Sequence, residues 1–483
     1  MPRWLPLLSA VLLVAPPLPA QTPSPASEIR RMVDALAADS TRGRPTPSRE
    51  LDRAAQWAAA EFARLHLRPL GDAGGYLQHY TIATSQAFPE SSSVALGGPV
   101  ARVWRVGKDA FWVPVTTPGR ATVSGPAVVL VGVPDSTRLF AGVNLRGAVV
   151  IQLAQYGEKG LAAPTWLIKA GERAGAAAWV LVTNRPDDEW AGELRVLHNV
   201  RTTILGAASL LRIPVVELRD NTLGAALAEL GVPEAGLRPL PPGHALRRLP
   251  GVTVRLHLVE RILTRRTAPN VVALLPGADS TRRGKYVVLS AHLDALGIGP
   301  RVGNDSIFNG AADDAVGCAV VIAAARALAA AGARPPGSIV FALFSGTERE
   351  LWGSGYYVSH PPVPLTRTVA DLNVESVGRK SLKDSLIVVG RPDSWLGPVA
   401  LEAATAHPEI GLTLLDDPWP RRHYLDQSDH SYFRAHGVPA LFLYNGPSVD
   451  THTPDDNPDK IDAESAARVA AYLAALARTI SGK

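Results

Sequence analysis

Two histidines and several acidic residues stand at intervals along the second half of the chain, each close to a short apolar segment. The set comprises His292, Asp294, Asp313, Glu348, Glu375 and His452. Imidazole and carboxylate groups are the usual protein ligands of zinc and similar divalent ions. Because Asp313 could bridge two ions, each ion would have one histidine, one carboxylate of its own and open positions for water. The residue types therefore predict a divalent metal site.

The elements that must position these residues are the strands of an α/β domain. Apolar strands alternate with predicted helices, which indicates a mostly parallel, doubly wound sheet with helices on both faces. Functional sites in such sheets lie at the carboxyl ends of the strands, where these residues fall. The predicted strands are 286–290, 338–344, 386–389 and 440–444, and the predicted helices are 27–39, 49–66, 318–331 and 463–480.

Each candidate ligand also has an ordinary structural explanation. A histidine after a strand is commonly a surface residue, and Asp313 could cap the helix that follows it. Glu348 and Glu350 could be solvated loop charges. The convergence of five such residues at the strand ends of one domain nevertheless favours a metal site.

A second, β-rich region interrupts this domain. Between residues 85 and 262 the chain shows short β-rich runs and turns, which we interpret as an inserted domain, leaving 26–84 and 263–483 as one discontinuous domain. The predicted strands of the insert are 128–131, 148–153, 177–182, 215–218 and 252–258, with a helix near 164–174.

The N-terminal 20 residues are typical of a secretory signal peptide. Arg3 precedes an apolar segment over 4–14, and cleavage is expected after Ala20. Prolines interrupt the apolar segment, which disfavours a stable membrane anchor. We therefore expect an exported protein, periplasmic or extracellular.

Composition excludes several other classes of protein. The net charge of +5 comes from scattered basic residues with no run of five, which disfavours a nucleic-acid partner. The single cysteine, Cys318, excludes an intrachain disulfide and a CxxC metal site. The chain has no Gly-x-Ser-x-Gly sequence, so a serine hydrolase is disfavoured.

The ordered motifs around the candidate ligands resemble those of the dizinc exopeptidases, the family that includes bacterial leucyl aminopeptidases, aminopeptidase Y and glutamate carboxypeptidase II. The matching segments are 43–44, 268–277, 290–297, 310–314, 428–430 and 452–456. The insert resembles the protease-associated domain through 144–147, 174–176 and 213–216.

The resemblance implies a role for each candidate residue. His292 and His452 would bind separate zinc ions, Asp313 would bridge the two ions, and the Asp313–Asp314 peptide would be cis. Glu348 and Glu375 would each bind one ion, and Asp294 would orient His292. The implied activity is that of an aminopeptidase that releases N-terminal residues from peptide substrates through a metal-bridging hydroxide.

Two positions depart from the family pattern. The family's general-base glutamate is replaced by Thr347, whose hydroxyl cannot accept a proton near neutral pH. Glu375 stands where the family has aspartate. Activity is therefore expected to be reduced or rewired, with Glu350 as a substitute base, because it would share a face with Glu348 in an extended segment.

Two alternatives to an aminopeptidase stay open. One is an acyltransferase like glutaminyl cyclase, which would use one metal ion, and the other is a non-catalytic protein that binds peptides or metal. Arg421 and Arg422 could line a substrate cleft and bind a carboxylate, or they could lie in a solvated loop. Residue specificity and oligomeric state are left open by the sequence.

Overall fold

The computed structural model describes most of the chain after the predicted signal peptide. The described residues are 24–113, 121–132, 140, 143–157, 160–161, 165–206, 211–236, 244–330, 332, 334–378, 382 and 384–483. The predicted signal peptide, residues 1–20, lies outside them. Among the described residues, no helix combines the length and the apolar character needed to cross a membrane.

The predicted helices are present within a few residues of their expected bounds, and further helices were not predicted. The described helices are α1 (Pro25–Leu36), α2 (Arg49–Arg64), α3 (Thr165–Arg173), α4 (Asp187–Leu197), α5 (Ala225–Glu229), α6 (Val316–Ala330), α7 (Trp352–Ser359), α8 (Leu396–Ala406), α9 (His430–Ala435) and α10 (Ala463–Ser481). The helices α1 and α2 begin after Ser24 and Ser48, whose side chains accept hydrogen bonds from backbone N–H groups of the first turn. Asp462 caps α10 in the same way.

The strands fall into two large sheets and two short hairpins. In chain order they are β1 (Arg68–Pro69), β2 (Leu77–Ala87), β3 (Ser93–Gly97), β4 (Arg102–Arg105), β5 (Ala110–Val113), β6 (Ala121–Val131), β7 (Val149–Leu153), β8 (Tyr156–Gly157), β9 (Gly160–Leu161), β10 (Ala178–Thr183), β11 (Arg201–Leu205), β12 (Val215–Arg219), β13 (Ala245–Leu258), β14 (Glu260–Leu275), β15 (Tyr286–His292), β16 (Gly297–Val302), β17 (Asp305–Phe308), β18 (Ser338–Phe344), β19 (Thr368–Glu375), β20 (Ser385–Val389), β21 (Thr413–Leu415) and β22 (Ala440–Tyr444).

The first sheet has the strand order β11-β2-β14-β18-β15-β19-β22-β20-β21, with β1 paired to β14. Its central strands β18, β15, β19 and β22 are parallel to one another, whereas β11, β2 and β14 join antiparallel. The α/β class is confirmed, and the sheet is mixed with a parallel centre. The sheet departs from the mostly parallel arrangement at one edge, where the long strands β2 and β14 pair antiparallel and are not linked by crossover helices.

Helices cover both faces of this sheet, as predicted. Alternate residues of the central strands enter two separate apolar clusters, because successive side chains of a strand point to opposite faces. Leu289 and Phe341 pack with α1, α2, α6, α8 and α10, while Val288 and Val340 pack with α7 and α9. Burial on both faces explains why these strands read as continuous apolar runs.

The second sheet has the order β4-β3-β13-β6-β7-β10-β12-β5 and its own apolar cores. All of its strands lie within the predicted insert, residues 85–262. The strand β11, also within that range, pairs instead with β2 of the first sheet. We propose that 85–262 is an inserted, protease-associated-like domain that stays joined to the first sheet through β11.

Candidate metal centre

The parallel strands bring the predicted ligands to one edge of the first sheet. His292 is the last residue of β15 and pairs in register with Phe344 at the end of β18. Glu375 is the last residue of β19. Glu348 lies four residues after β18, and His452 lies in the loop that follows β22. Residues more than 150 positions apart in the chain therefore meet at the carboxyl ends of neighbouring strands.

Asp313 reaches this edge from the turn before α6. The backbone N–H groups of Ala312 and Asp313 donate hydrogen bonds to the carboxylate of Asp456, which holds the turn in place. The Asp313–Asp314 peptide is cis, as the family resemblance implied. The Asp314 carboxylate accepts hydrogen bonds from the backbone N–H groups of His292 and Gly317, which ties the turn to β15.

The donor atoms form two groups that share Asp313. His292, Asp313 and Glu375 offer donor atoms within 4.8 Å of one another, and so do Asp313, Glu348 and His452. Nε2 of His292 lies 2.9 Å from Oδ1 of Asp313, and Nε2 of His452 lies 3.1 Å from Oδ2 of the same carboxylate. The five residues predicted as ligands are therefore brought together, with one carboxylate facing both histidines.

The charges at this edge favour a cation. Burial raises the pKa of Glu375 to about 7 and also raises that of Glu348. Although burial acts in the opposite direction, hydrogen bonds with His292 and His452 hold the pKa of Asp313 well below its usual range. Three carboxylates that converge in a largely buried site need positive charge nearby, which either protonated histidines or metal ions supply.

The donor set fits zinc. Each group offers one imidazole nitrogen and two carboxylates, a combination that leaves a coordination position for water. His292 would bind through Nε2, because its Nδ1 faces the backbone carbonyl oxygen of Asp294 at 3.1 Å. Ser428 donates a hydrogen bond of 2.7 Å to Glu375 and so orients that carboxylate.

The contact between Asp294 and His292 differs from the sequence-based expectation. The carboxylate of Asp294 was expected to fix the imidazole, but its nearer oxygen lies 3.8 Å from Nδ1 of His292. That carboxylate instead accepts hydrogen bonds from the Thr46 hydroxyl and from the backbone N–H of Thr347. Asp294 thus positions the ring through its carbonyl oxygen and joins two neighbouring loops through its side chain.

The segment after β18 is a turn and not an extended strand. Thr347–Arg349 form a 3-10 helix, and Glu350 follows with a φ of 69°, in the left-handed region. The expectation that Glu350 shares a face with Glu348 along an extended segment is therefore wrong, because residues two apart in a helical turn diverge. Both side chains nevertheless line one cavity.

The structure also identifies a buried carboxylate behind the position of the missing base. The hydroxyl of Thr347 donates a hydrogen bond of 2.9 Å to Asp429, and the Ser354 hydroxyl donates another to the same carboxylate. Burial raises the pKa of Asp429 to about 6. Sequence analysis noted the motif around Asp429 and Asp456 but assigned neither residue a role, because their partners are distant in the chain.

Zinc uptake by the metal-free protein is expected to release about two protons per chain at pH 7.5, because histidine binds metal only when neutral. Hydrogen bonds with Asp313 and Glu348 raise the pKa of His452 to about 10. Contacts with Asp294 and Asp313 raise that of His292 well above its usual range, against the effect of burial. We therefore expect both rings to carry a proton at pH 7.5 in the metal-free protein.

The proton count is measured by zinc titration calorimetry in buffers of different ionisation enthalpy. The slope of heat against ionisation enthalpy gives the number of protons released. A His452→Gln variant should release about one proton fewer. A slope near zero in the wild-type protein would contradict the assigned ligand set.

Two histidine–carboxylate groups at the carboxyl ends of parallel strands are the arrangement expected of a metal-dependent α/β enzyme. Residues 270–477 match the model of peptidase family M28. This match confirms the resemblance to the zinc exopeptidases. All five candidate ligand positions lie inside the matched range.

Several individual proteins are similar to this chain. Endoplasmic reticulum metallopeptidase 1 of Rattus norvegicus is 28% identical over 219 residues, which are 44% of this chain and 22% of that protein. The chain therefore spans about a fifth of the length of this relative. Glutaminyl-peptide cyclotransferase of Bos taurus is 26% identical over 306 residues, 51% of this chain and 81% of that protein.

Solved structures are similar over most of the chain. An aminopeptidase from Aneurinibacillus sp. strain AM-1 is 19% identical, with 93% of this chain and 92% of that chain covered and a TM-score of 0.45. BSAP, a zinc aminopeptidase from Bacillus subtilis, is 17% identical, with 93% and 94% covered and a TM-score of 0.45.

Proposed function

We propose that this protein is an exported, zinc-dependent aminopeptidase that binds two ions. The observation that carries the proposal is the pair of donor groups joined by Asp313. In this assignment His292 and Glu375 would hold one ion, Glu348 and His452 would hold the other, and Asp313 would serve both. When bound, the ions supply a Lewis acid for the scissile carbonyl and lower the pKa of bound water.

The remaining residues of the site position these ligands. Asp456 and Asp314 hold the turn that carries Asp313, and Ser428 orients Glu375. The base must come from a group other than Thr347. We propose that Glu350 accepts a proton from the attacking water and passes it to the leaving amine. Its side chain lines the cavity that also reaches Glu348.

The proposal is tested with metal-free protein and a panel of aminoacyl fluorogenic substrates. Chelation should abolish hydrolysis of every substrate on the panel, and zinc or cobalt should restore it. Elemental analysis of the restored protein should give about two ions per chain. Hydrolysis that survives complete metal removal would exclude this mechanism, and tight zinc uptake with no turnover on any substrate would favour a non-catalytic binding protein.

A second candidate is an acyltransferase that cyclises N-terminal glutamine. The observation that favours it is the alignment with glutaminyl-peptide cyclotransferase, which extends over 81% of that protein. Such an enzyme would require one ion, whereas the two donor groups favour two. Incubation of a glutaminyl peptide distinguishes the candidates, because cyclisation releases ammonia and hydrolysis releases free glutamine.

A further inference from the structure

A cavity of about 620 Å³ opens beside Glu348, one of the proposed ligands. One of its sides is formed by Thr46 and Pro47 together with residues after β18, namely Glu348, Arg349, Glu350 and Trp352. The other side is the surface of the antiparallel strands β2, β11 and β14, at the edge of the first sheet. The cavity therefore extends from the candidate metal centre across strands that the site itself does not use.

The strand side of the cavity is a polar floor. Thr202, Thr84 and Thr264 are cross-strand neighbours on β11, β2 and β14, so their side chains form a row. The hydroxyls of Thr84 and Thr264 lie 2.6 Å apart. Two residues further along these strands, Arg266 pairs with Ile82 and lines the same cavity. This floor offers hydrogen-bonding groups and a positive charge to a bound molecule.

Two arginines in the cavity have no partner among the described residues. Arg266 on β14 and Arg349 on the turn after Glu348 are both exposed, and neither side chain makes an ion pair or hydrogen bond with the described residues. Arg201, on the neighbouring strand β11, instead pairs with Glu260 at 2.7 Å. Apart from the proposed ligand Glu348, Glu350 is the one acidic group among the lining residues. The lining therefore has two arginines and two glutamates, one of which, Glu348, is assigned to a metal ion.

Resting on the proposed peptidase function, we propose that this cavity binds a carboxylate of the peptide substrate through Arg266 and Arg349. The planar guanidinium group matches a carboxylate with two parallel hydrogen bonds. A peptide whose reacting bond lies at Glu348 would extend over the threonine floor, which presents its carboxylate to the arginines. That carboxylate is either the C-terminus of a short peptide or an acidic side chain.

Two matched substrate pairs separate these sources. Alanyl-leucine against alanyl-leucine amide tests the terminal carboxylate, and alanyl-glutamyl amide against alanyl-glutaminyl amide tests the side chain. With zinc-loaded protein, kcat/KM should be roughly tenfold higher for the charged member of at least one pair, mainly through KM. Arg266→Gln and Arg349→Gln should each reduce that preference severalfold.

Arg265→Gln is the matched control. Arg265 is also exposed, lies next to Arg266 on β14, and points to the opposite side of the strand, outside the cavity. This control should keep the wild-type preference. Equal kcat/KM within both pairs, or a preference that both cavity variants retain, would overturn the proposal while leaving the peptidase assignment intact.

Calorimetry of the metal-free protein provides a readout that does not depend on turnover. Alanyl-leucine should bind more tightly than its amide, or alanyl-glutamyl amide more tightly than alanyl-glutaminyl amide, and Arg266→Gln should remove the difference. If no substrate is hydrolysed, the peptidase assignment fails, and this binding difference still decides whether the cavity selects a carboxylate.

Discussion

Asp313→Ala is expected to remove both zinc ions and to lower kcat/KM by roughly 10³-fold or more. The reason is geometric, since Asp313 is the one residue that belongs to both donor groups, with its two carboxylate oxygens facing His292 and His452. Elemental analysis after dialysis against a low zinc concentration gives the metal content, and hydrolysis of an aminoacyl fluorogenic substrate gives the rate.

Substitution of a residue that belongs to only one donor group tests whether Asp313 is shared by both. Glu375 belongs only to the group with His292, so Glu375→Gln should retain about one ion per chain, held by Glu348 and His452. Circular dichroism of the metal-free variants shows whether the fold persists. If Asp313→Ala keeps two ions, or if Glu375→Gln loses both while folded, the shared-carboxylate assignment is wrong.

The sequence predicted the centre of the first sheet well and its edge poorly. The strands β15, β18 and β22 are buried on both faces, so burial itself produces continuous apolar segments that identify them. The N-terminal part of β14 is exposed and contains Arg265 and Arg266, which resemble a polar loop in the sequence. Pairing with β2 makes this segment a strand, and that partner lies far away in the chain.

The residues of the site differ in the same way: some could be identified from local sequence, and others are positioned by contacts with distant segments. Histidines and carboxylates after apolar strands could be identified as ligands because residue type and strand polarity are local properties. The positions of Asp429 and Asp456 depend on backbone N–H groups and hydroxyls from other loops, so no local pattern reveals their role. The turn at Thr347–Arg349 is also set by tertiary contacts, including the hydrogen bond from Thr347 to Asp429.

Thr347→Glu is expected to raise kcat by roughly 10²–10⁴-fold if the absence of a base at this position limits the reaction. The introduced carboxylate would lie beside Asp429, whose pKa burial already raises to about 6. Two adjacent carboxylates do not readily ionise together, so the pKa of the introduced group should also rise toward neutrality. A base with such a pKa accepts and returns a proton efficiently near pH 7.

Thr347→Gln provides the control, because glutamine has nearly the same shape and cannot act as a base. The pH profile supplies a second test. Activity of Thr347→Glu should fall as the pH drops and the introduced carboxylate gains a proton. Adding Asp429→Asn removes the neighbouring charge, lowers the pKa of that carboxylate and moves the acid limb of the profile to lower pH. Equal kcat values for Thr347→Glu and Thr347→Gln would show that the chain already has an effective base, for which Glu350 is the proposed group.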